Sequence, residues 1–312
     1  MTEPNSADRQ QDSPTARRAE HRAYRPAESR GARAPRPPQG PTERVGGAGY
    51  AVDFLSVRVP TPTLAPDLRG DVVRAGGADV IDYTHFSVCL SRRRRLARWV
   101  AWNVDGAAGV DLARTGLRFR LDPRVPADCQ VGDELYADNR IDRGHLARRR
   151  DLCWGSRAEA QRANADSFFF TNITPQVDDF NQSRRSGVWG LLEDALFEAV
   201  AVEQRRISVF AGPVLADTDV AYRGVQLPRE HWKVICYVDA GALEARAFLL
   251  SQGLDHLEGI DLSRFRTYQV ALSLLTARTG VRFDPALVER AESALPPGSP
   301  AVEVRRAADI RW

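Results

Sequence analysis

The chain has 312 residues, 43% of them hydrophobic, and a formal net charge of +3. That is enough apolar material for one large domain or two small ones, and no run of about 18 apolar residues exists that could cross a membrane as a helix. The positive charge comes from arginine, since Lys233 is the only lysine, and a net charge this small does not by itself argue for a nucleic-acid partner.

Residues 1–44 are rich in Pro, Ala, Arg, Ser and Gln and nearly free of large apolar side chains. Such a segment cannot bury enough surface to offset its ordering entropy, so it reads as a disordered Arg/Pro-rich tail. It holds no apolar signal segment, and its acids argue against a mitochondrial transit peptide, so the expected location is the cytoplasm, with export by another route left open. Cys89, Cys129, Cys153 and Cys236 form no Cys-x-x-Cys pair, which argues against a structural zinc and leaves reduced thiols as the expected state.

A domain is expected over 45–295, followed by a C-terminal tail, 296–312. Ala51–Leu55 and Val57–Pro60 read as extended pieces. Ile81–Tyr83, His85–Leu90 and Leu96–Val104 read as strands, the last two joined by a turn at Ser91–Arg95. The four arginines Arg92–Arg95 on that turn read as a solvated loop, with contact to a nucleic-acid backbone as the alternative. A single His85 in a strand reads as a structural histidine. Leu117–Leu121 alternates and stops at Asp122-Pro123, the pattern of a short strand.

Further on, Asp142-Arg143-Gly144-His145 reads as a loop, and Ala158–Ala165 has helical composition. Ser167–Ile173 reads as an apolar strand ended by Thr174-Pro175-Gln176. Val188–Val202 reads as an amphipathic helix burying Trp189, Leu192, Leu196, Phe197 and Val200. Arg206–Pro213 reads as a buried strand, His231–Val238 and Leu243–Leu250 as a hairpin, and Thr267–Thr279 as a helix closed by Gly280. Strands dominate without regular βα alternation, so the fold class is α+β.

Hydrolysis of a phosphodiester needs a base for water, a cation for the charge on phosphorus, and help for the leaving oxygen. His145 suits the first role because imidazole titrates near neutrality. Gly144 permits an unusual backbone angle or a close approach, and Arg143 offers a planar fork to a phosphate. Mg²⁺ prefers oxygen donors and keeps several waters, so one protein amide oxygen can hold it; Asn172 and Asn181 are the candidates. Glu193 could accept hydrogen bonds from the waters of such an ion.

Asp142–His145, then Phe168–Gln176, Asn181-Gln182 and Trp189-Gly190-Leu191-Leu192-Glu193, resemble the DNA/RNA non-specific endonucleases, the ββα-metal nucleases. Val209–Pro213, Leu227–Val234 and Leu274–Phe283 are similar to later segments of that family, in the same order. The resemblance implies a ββα-metal fold, a central, mainly antiparallel sheet flanked by helices. It implies endonuclease activity on DNA and RNA with Mg²⁺, or Mn²⁺ in its place.

By position, His145 resembles the general base, Asn181 the direct metal ligand and Glu193 the acid that orders water around the metal. Arg143 resembles the phosphate-contacting arginine, and Arg120 the upstream arginine near the leaving group, with Arg118 as the fallback. Asn172 and Asp142 resemble residues that support the site from behind. The interval from Asn181 to Trp189 is longer than the family's by close to one helical turn of about 3.6 residues. Members are often homodimers, so the resemblance leaves a homodimer open here, and the sequence shows no interface; an inhibitor or regulatory partner also stays open, and no membrane partner is expected.

A nucleic-acid-binding protein of this fold without turnover is the alternative reading. A serine hydrolase is disfavoured by the lack of a Gly-x-Ser-x-Gly elbow, and NTP hydrolysis by the lack of a P-loop.

Overall fold

The structure, a computed structural model, describes residues 47–114, 116–177, 206–252 and 266–312. The N-terminal tail, the helix expected at 188–202, Asn181 and Glu193 lie outside the described residues.

An eight-stranded antiparallel sheet forms the centre. It contains, in chain order, β1 (Ile81–Asp82), β2 (Phe86–Leu90) and β3 (Ala97–Asp105), then β6 (Arg206–Val214), β7 (Glu230–Asp239), β8 (Ala242–Ser251), β9 (Arg266–Val270) and β10 (Ala301–Val304). Its spatial order is β10-β9-β8-β7-β6-β3-β2-β1. A separate ladder pairs β4 (Ile141–His145) with β5 (Ile173–Val177). The helices are α1 (Arg149–Leu152), α2 (Arg157–Asp166), α3 (Leu272–Thr279) and α4 (Pro285–Ser293).

The central strands are apolar on both faces because the sheet separates two cores. Alternation along a strand sends neighbouring side chains to opposite sides. Val209, Ile235, Phe248 and Leu250 therefore join one core, where Leu152 of α1, Ala163 of α2 and Ile141 and Ile173 of the β4–β5 ladder also pack. Phe210, Val234, Ala247 and Leu249 join the other, with Tyr50, Phe54, Leu272, Leu275 and Leu287. The ladder that carries His145 thus rests on one face of the sheet, and α3 and α4 cover the other.

Several local expectations change. Ala51–Leu55 is a turn rather than an extended piece, and its Phe54 and Leu55 fill the second core. Leu117–Leu121 forms only an isolated parallel bridge, Arg120 to Phe169. Asp142–His145 is a strand, not a loop. The apolar run expected as a strand at Ser167–Ile173 differs too: Phe170–Asn172 makes a short 3-10 turn, and the strand runs from Ile173 to Val177 with Pro175 inside it. A two-stranded ladder has only edge strands, and Pro is accommodated there.

Thr267–Val270, read as helix, belongs to β9, where its β-branched and aromatic residues pair with β8 and β10. The helix begins at Leu272 and ends as expected at Gly280, in the left-handed region at φ 68°. Residues 301–304, inside the segment read as a tail, form the sheet's edge, and the Arg311 carbonyl accepts from Arg246 and Gln269. All four cysteines are buried free thiols. Among the described residues no helix is long and apolar enough to cross a membrane.

The arginine turn is a solvated loop at Arg92 and Arg93, which are exposed, but not at Arg94. Arg94 is buried in an ion pair with Asp219 and also donates to the carbonyls of Ala216 and Gln226. Arg93 meets Asp217, Arg95 donates to the Gly224 carbonyl, and Arg92 donates to the Cys129 sulfur. Arg94, with the exposed Arg93, ties the β2–β3 hairpin to the loop after β6.

Candidate active site

β4 presents Arg143 and His145 on one face and Asp142 and Gly144 on the other, because side chains alternate along a strand. Its partner β5 sets the register: Gly144 lies opposite Thr174 and His145 opposite Ile173. The φ of Gly144 is not positive, so backbone freedom is not why glycine stands there. Space is the reason: a Cβ at this position would meet the Gln176 side chain at 2.1 Å. Gln176 is 1% exposed, so it has little room to yield.

Asn172 fixes the chain just past His145. Its Oδ1 accepts from the Ala147 amide at 2.9 Å, and its Nδ2 donates to the carbonyls of Ala147 and Ser167. The Leu146 amide donates to the Asn172 carbonyl at 2.9 Å. Asn172 is fully buried, and its amide is spent on the backbone. The structure thus gives it a scaffolding task.

The His145 ring sits between two aromatic rings that the sequence reading did not assign to the site. Phe168 meets it edge-on at 5.3 Å between centroids, and Phe119 lies tilted at 5.5 Å. The Nε2 atom is shielded from solvent and has no hydrogen-bond partner among the described residues. Burial pushes the pKa of His145 down to about 3, and the charges of Arg114, Arg149 and Arg148 push in the same direction. The imidazole is therefore neutral at pH 7.

Arg143 is half-buried over Tyr136 and Phe119, and its Nη2 donates to Asp133 Oδ1 at 2.6 Å. Arg120 follows a different course from its neighbour Phe119. Phe119 turns to His145, whereas the Arg120 guanidinium covers the Phe169 ring at 4.1 Å. Arg118 is exposed. The structure therefore brings Arg143 and Asn172 to His145's strand, and it sends Arg120 to an adjoining ring. Asp142 lies on the strand face opposite His145.

His85 proves structural, as its setting suggested. It is buried at φ 71°, stacked on Trp154 at 3.6 Å, with Nδ1 2.8 Å from the Leu152 carbonyl and Nε2 3.3 Å from Glu159. It ties the start of β2 to the segment that follows the His145 strand.

Residues 66–290 match the family model described as DNA/RNA non-specific endonuclease. The chain belongs to the DNA/RNA non-specific endonuclease family. Among its relatives, the uncharacterized protein y4fB of Sinorhizobium fredii is 36% identical over 261 residues, 76% of this chain and 39% of that protein. This chain thus spans about two fifths of y4fB. A nuclease of Nostoc sp. is 26% identical across 64% of this chain and 70% of its own length. Mitochondrial endonuclease G of Bos taurus is 26% identical across 70% and 73%. The fold of this family member is similar to a solved EndoG/EndoGI complex, with a TM-score of 0.53 and 19% identity over 67% of this chain and 87% of that one.

Among the described residues of this endonuclease-family chain, no group of three His, Cys, Asp or Glu side chains could hold a metal ion. The donor chemistry at His145 is also wrong for a cation, because Arg114, Arg148 and Arg149 repel positive charge there.

Proposed function

We propose that this chain is a divalent-metal-dependent endonuclease that hydrolyses phosphodiester bonds of DNA and RNA, with His145 as general base. One observation carries the reading: a neutral imidazole whose Nε2 is enclosed and unpartnered, set among guanidinium charges. His85 is placed differently: its Nδ1 lies 2.8 Å from the Leu152 carbonyl and its Nε2 3.3 Å from a Glu159 carboxylate oxygen. The empty Nε2 is a place for the hydrogen of an attacking water.

In the free protein, burial and positive charge leave that nitrogen a weak base. A phosphodiester anion entering among the arginines offsets their charge, so the basicity of His145 rises when substrate is bound. Arg143 would reach the phosphate by exchanging part of its fork from Asp133, which is exposed and easily solvated. Asn172 and the β4–β5 pairing hold the imidazole in place while the proton moves.

Asn181 would hold Mg²⁺, or Mn²⁺, and Glu193 would accept hydrogen bonds from water around it; both assignments rest on family position. The ion supplies Lewis-acid stabilisation of the charge developing on phosphate. Arg120 is assigned to the leaving-group side on the same ground. Recognition by backbone charge carries little base information, which suits action on both DNA and RNA.

The test uses the purified chain with supercoiled plasmid and with a structured RNA. Both should be cut in Mg²⁺, and excess EDTA should stop both reactions. Binding of either polymer without cutting, in Mg²⁺ or Mn²⁺, would show instead a nucleic-acid-binding protein without turnover.

A further inference from the structure

We propose that Arg114, outside every motif above, is a further substrate-contacting residue of this site, and that its guanidinium pairs with a backbone phosphate of the bound strand. The inference rests on the nuclease reading and deepens it.

Four observations carry it. The Arg114 guanidinium lies over the Phe168 ring at 5.5 Å, and the same ring packs perpendicular to the His145 imidazole with centroids 5.3 Å apart. Phe168 is 1% exposed, so a rigid aromatic platform fixes the cation relative to the imidazole.

The loop is anchored on both sides of Arg114. Upstream, Leu112 is buried with Cys153 and Ala160, and its carbonyl accepts from Arg149 at 2.8 Å. Downstream, the Arg120 amide donates to the Phe168 carbonyl, and the Phe170 amide donates to the Arg120 carbonyl.

Arg114 is exposed and makes no ion pair or side-chain hydrogen bond among the described residues, whereas Arg93, Arg94, Arg98, Arg124 and Arg143 each face a carboxylate. A guanidinium held in position beside a base, with its donors unspent, is prepared for an anion from outside. Finally, its charge acts on His145 ahead of those of Arg149 and Arg148, so an anion on Arg114 is felt at the imidazole.

A purely structural role, capping Phe168, would need the ring contact but not the charge. The test therefore measures charge. A fluorescein-labelled DNA duplex is titrated with the full chain in EDTA over a range of salt, using wild type, Arg114→Ala, Arg114→Lys and Arg290→Ala. Plasmid cleavage in Mg²⁺ is measured alongside.

Arg114→Ala should reduce the magnitude of the slope of log affinity against log salt by about 0.9, the loss of one phosphate contact. It should also weaken binding on the order of tenfold and raise KM more than it lowers kcat. Arg114→Lys should restore the slope, because it keeps the charge, and Arg290→Ala should match wild type. An unchanged slope in Arg114→Ala, or a slope not restored by lysine, overturns the proposal. If the duplex binds with an Arg114-dependent slope but plasmid is never cut, the nuclease reading falls and the Arg114 contact stands. If wild type binds no duplex, both fall.

Discussion

Two sets of arginines on this chain are used in opposite ways. Arg92–Arg95 are consecutive, the most basic run in the sequence, and the fold consumes them: Arg94 is buried on Asp219, Arg93 meets Asp217, and Arg95 caps a carbonyl. Arg114 and Arg149 are far apart in sequence, yet the charges of both act on one imidazole. The first set is neutralised from within, and the second leaves positive charge for something to arrive. The density of charge along a sequence is thus a poor guide to a binding surface; the location of the counter-charges decides.

The comparison can be broken at either side. The largest expected effect on stability is at the arginine turn. Arg94→Ala strands the buried Asp219 carboxylate and should cost about 3–5 kcal/mol, read as a fall in denaturant midpoint with cleavage at permissive temperature retained. Cleavage lost in a fully folded Arg94→Ala protein would show that the turn takes part in the site after all.

Gly144→Ala comes next. Its Cβ would press on Gln176 beneath the His145 strand, at a cost of about 1–3 kcal/mol from overpacking. Here, unlike at Arg94, activity should fall even where the protein remains folded, because β4 must shift. Wild-type activity and melting temperature in this variant would mean that Gln176 moves aside freely.

Smaller again is the effect of mild acid. His145 and His231 both have pKa values lowered to about 3, by burial first. The unfolded chain takes up protons at these histidines below about pH 6.5, while the folded chain stays neutral there until near pH 3. Their contribution is therefore complete above about pH 6.5 and is lost as the pH falls toward 3. The melting temperature should hold steady from pH 8 to 7 and decline from pH 6.5 downward; a rise on acidification would contradict the buried, neutral state. The smallest effect belongs to Arg93→Ala, whose exposed pair with Asp217 should leave melting and cleavage as they were.

Much of the sheet was legible in the sequence. The hairpin of β7 and β8 and the strand of β6 announced themselves by apolar runs broken at turn residues; the Asp142–His145 motif marked the proposed base, but that it forms a strand was not legible. Other parts were hidden for physical reasons. Phe168–Phe170 look like a strand because they are apolar, but they wedge into the core as a turn, and the pairing residues are the more polar Thr174 and Gln176. Thr267–Val270 continues smoothly into helical sequence, and only the neighbouring strands decide that it is β9. Arg114 carried no motif, and Phe168, although inside the Phe168–Gln176 segment, gave no sign of its contact with the base. Their relation to His145 exists only after the chain has brought positions 114, 145 and 168 together. The same holds for Arg94, whose fate depends on a carboxylate 125 positions away.

The role of His145 is tested most directly by single-turnover cleavage of supercoiled plasmid in Mg²⁺, comparing wild type with His145→Ala, with circular dichroism on the same samples. A general base contributes on the order of 10²- to 10⁴-fold, so the variant should be slower by about that factor while its spectrum and duplex binding match wild type. Cleavage by a folded His145→Ala protein at the wild-type rate would contradict the assignment of the base.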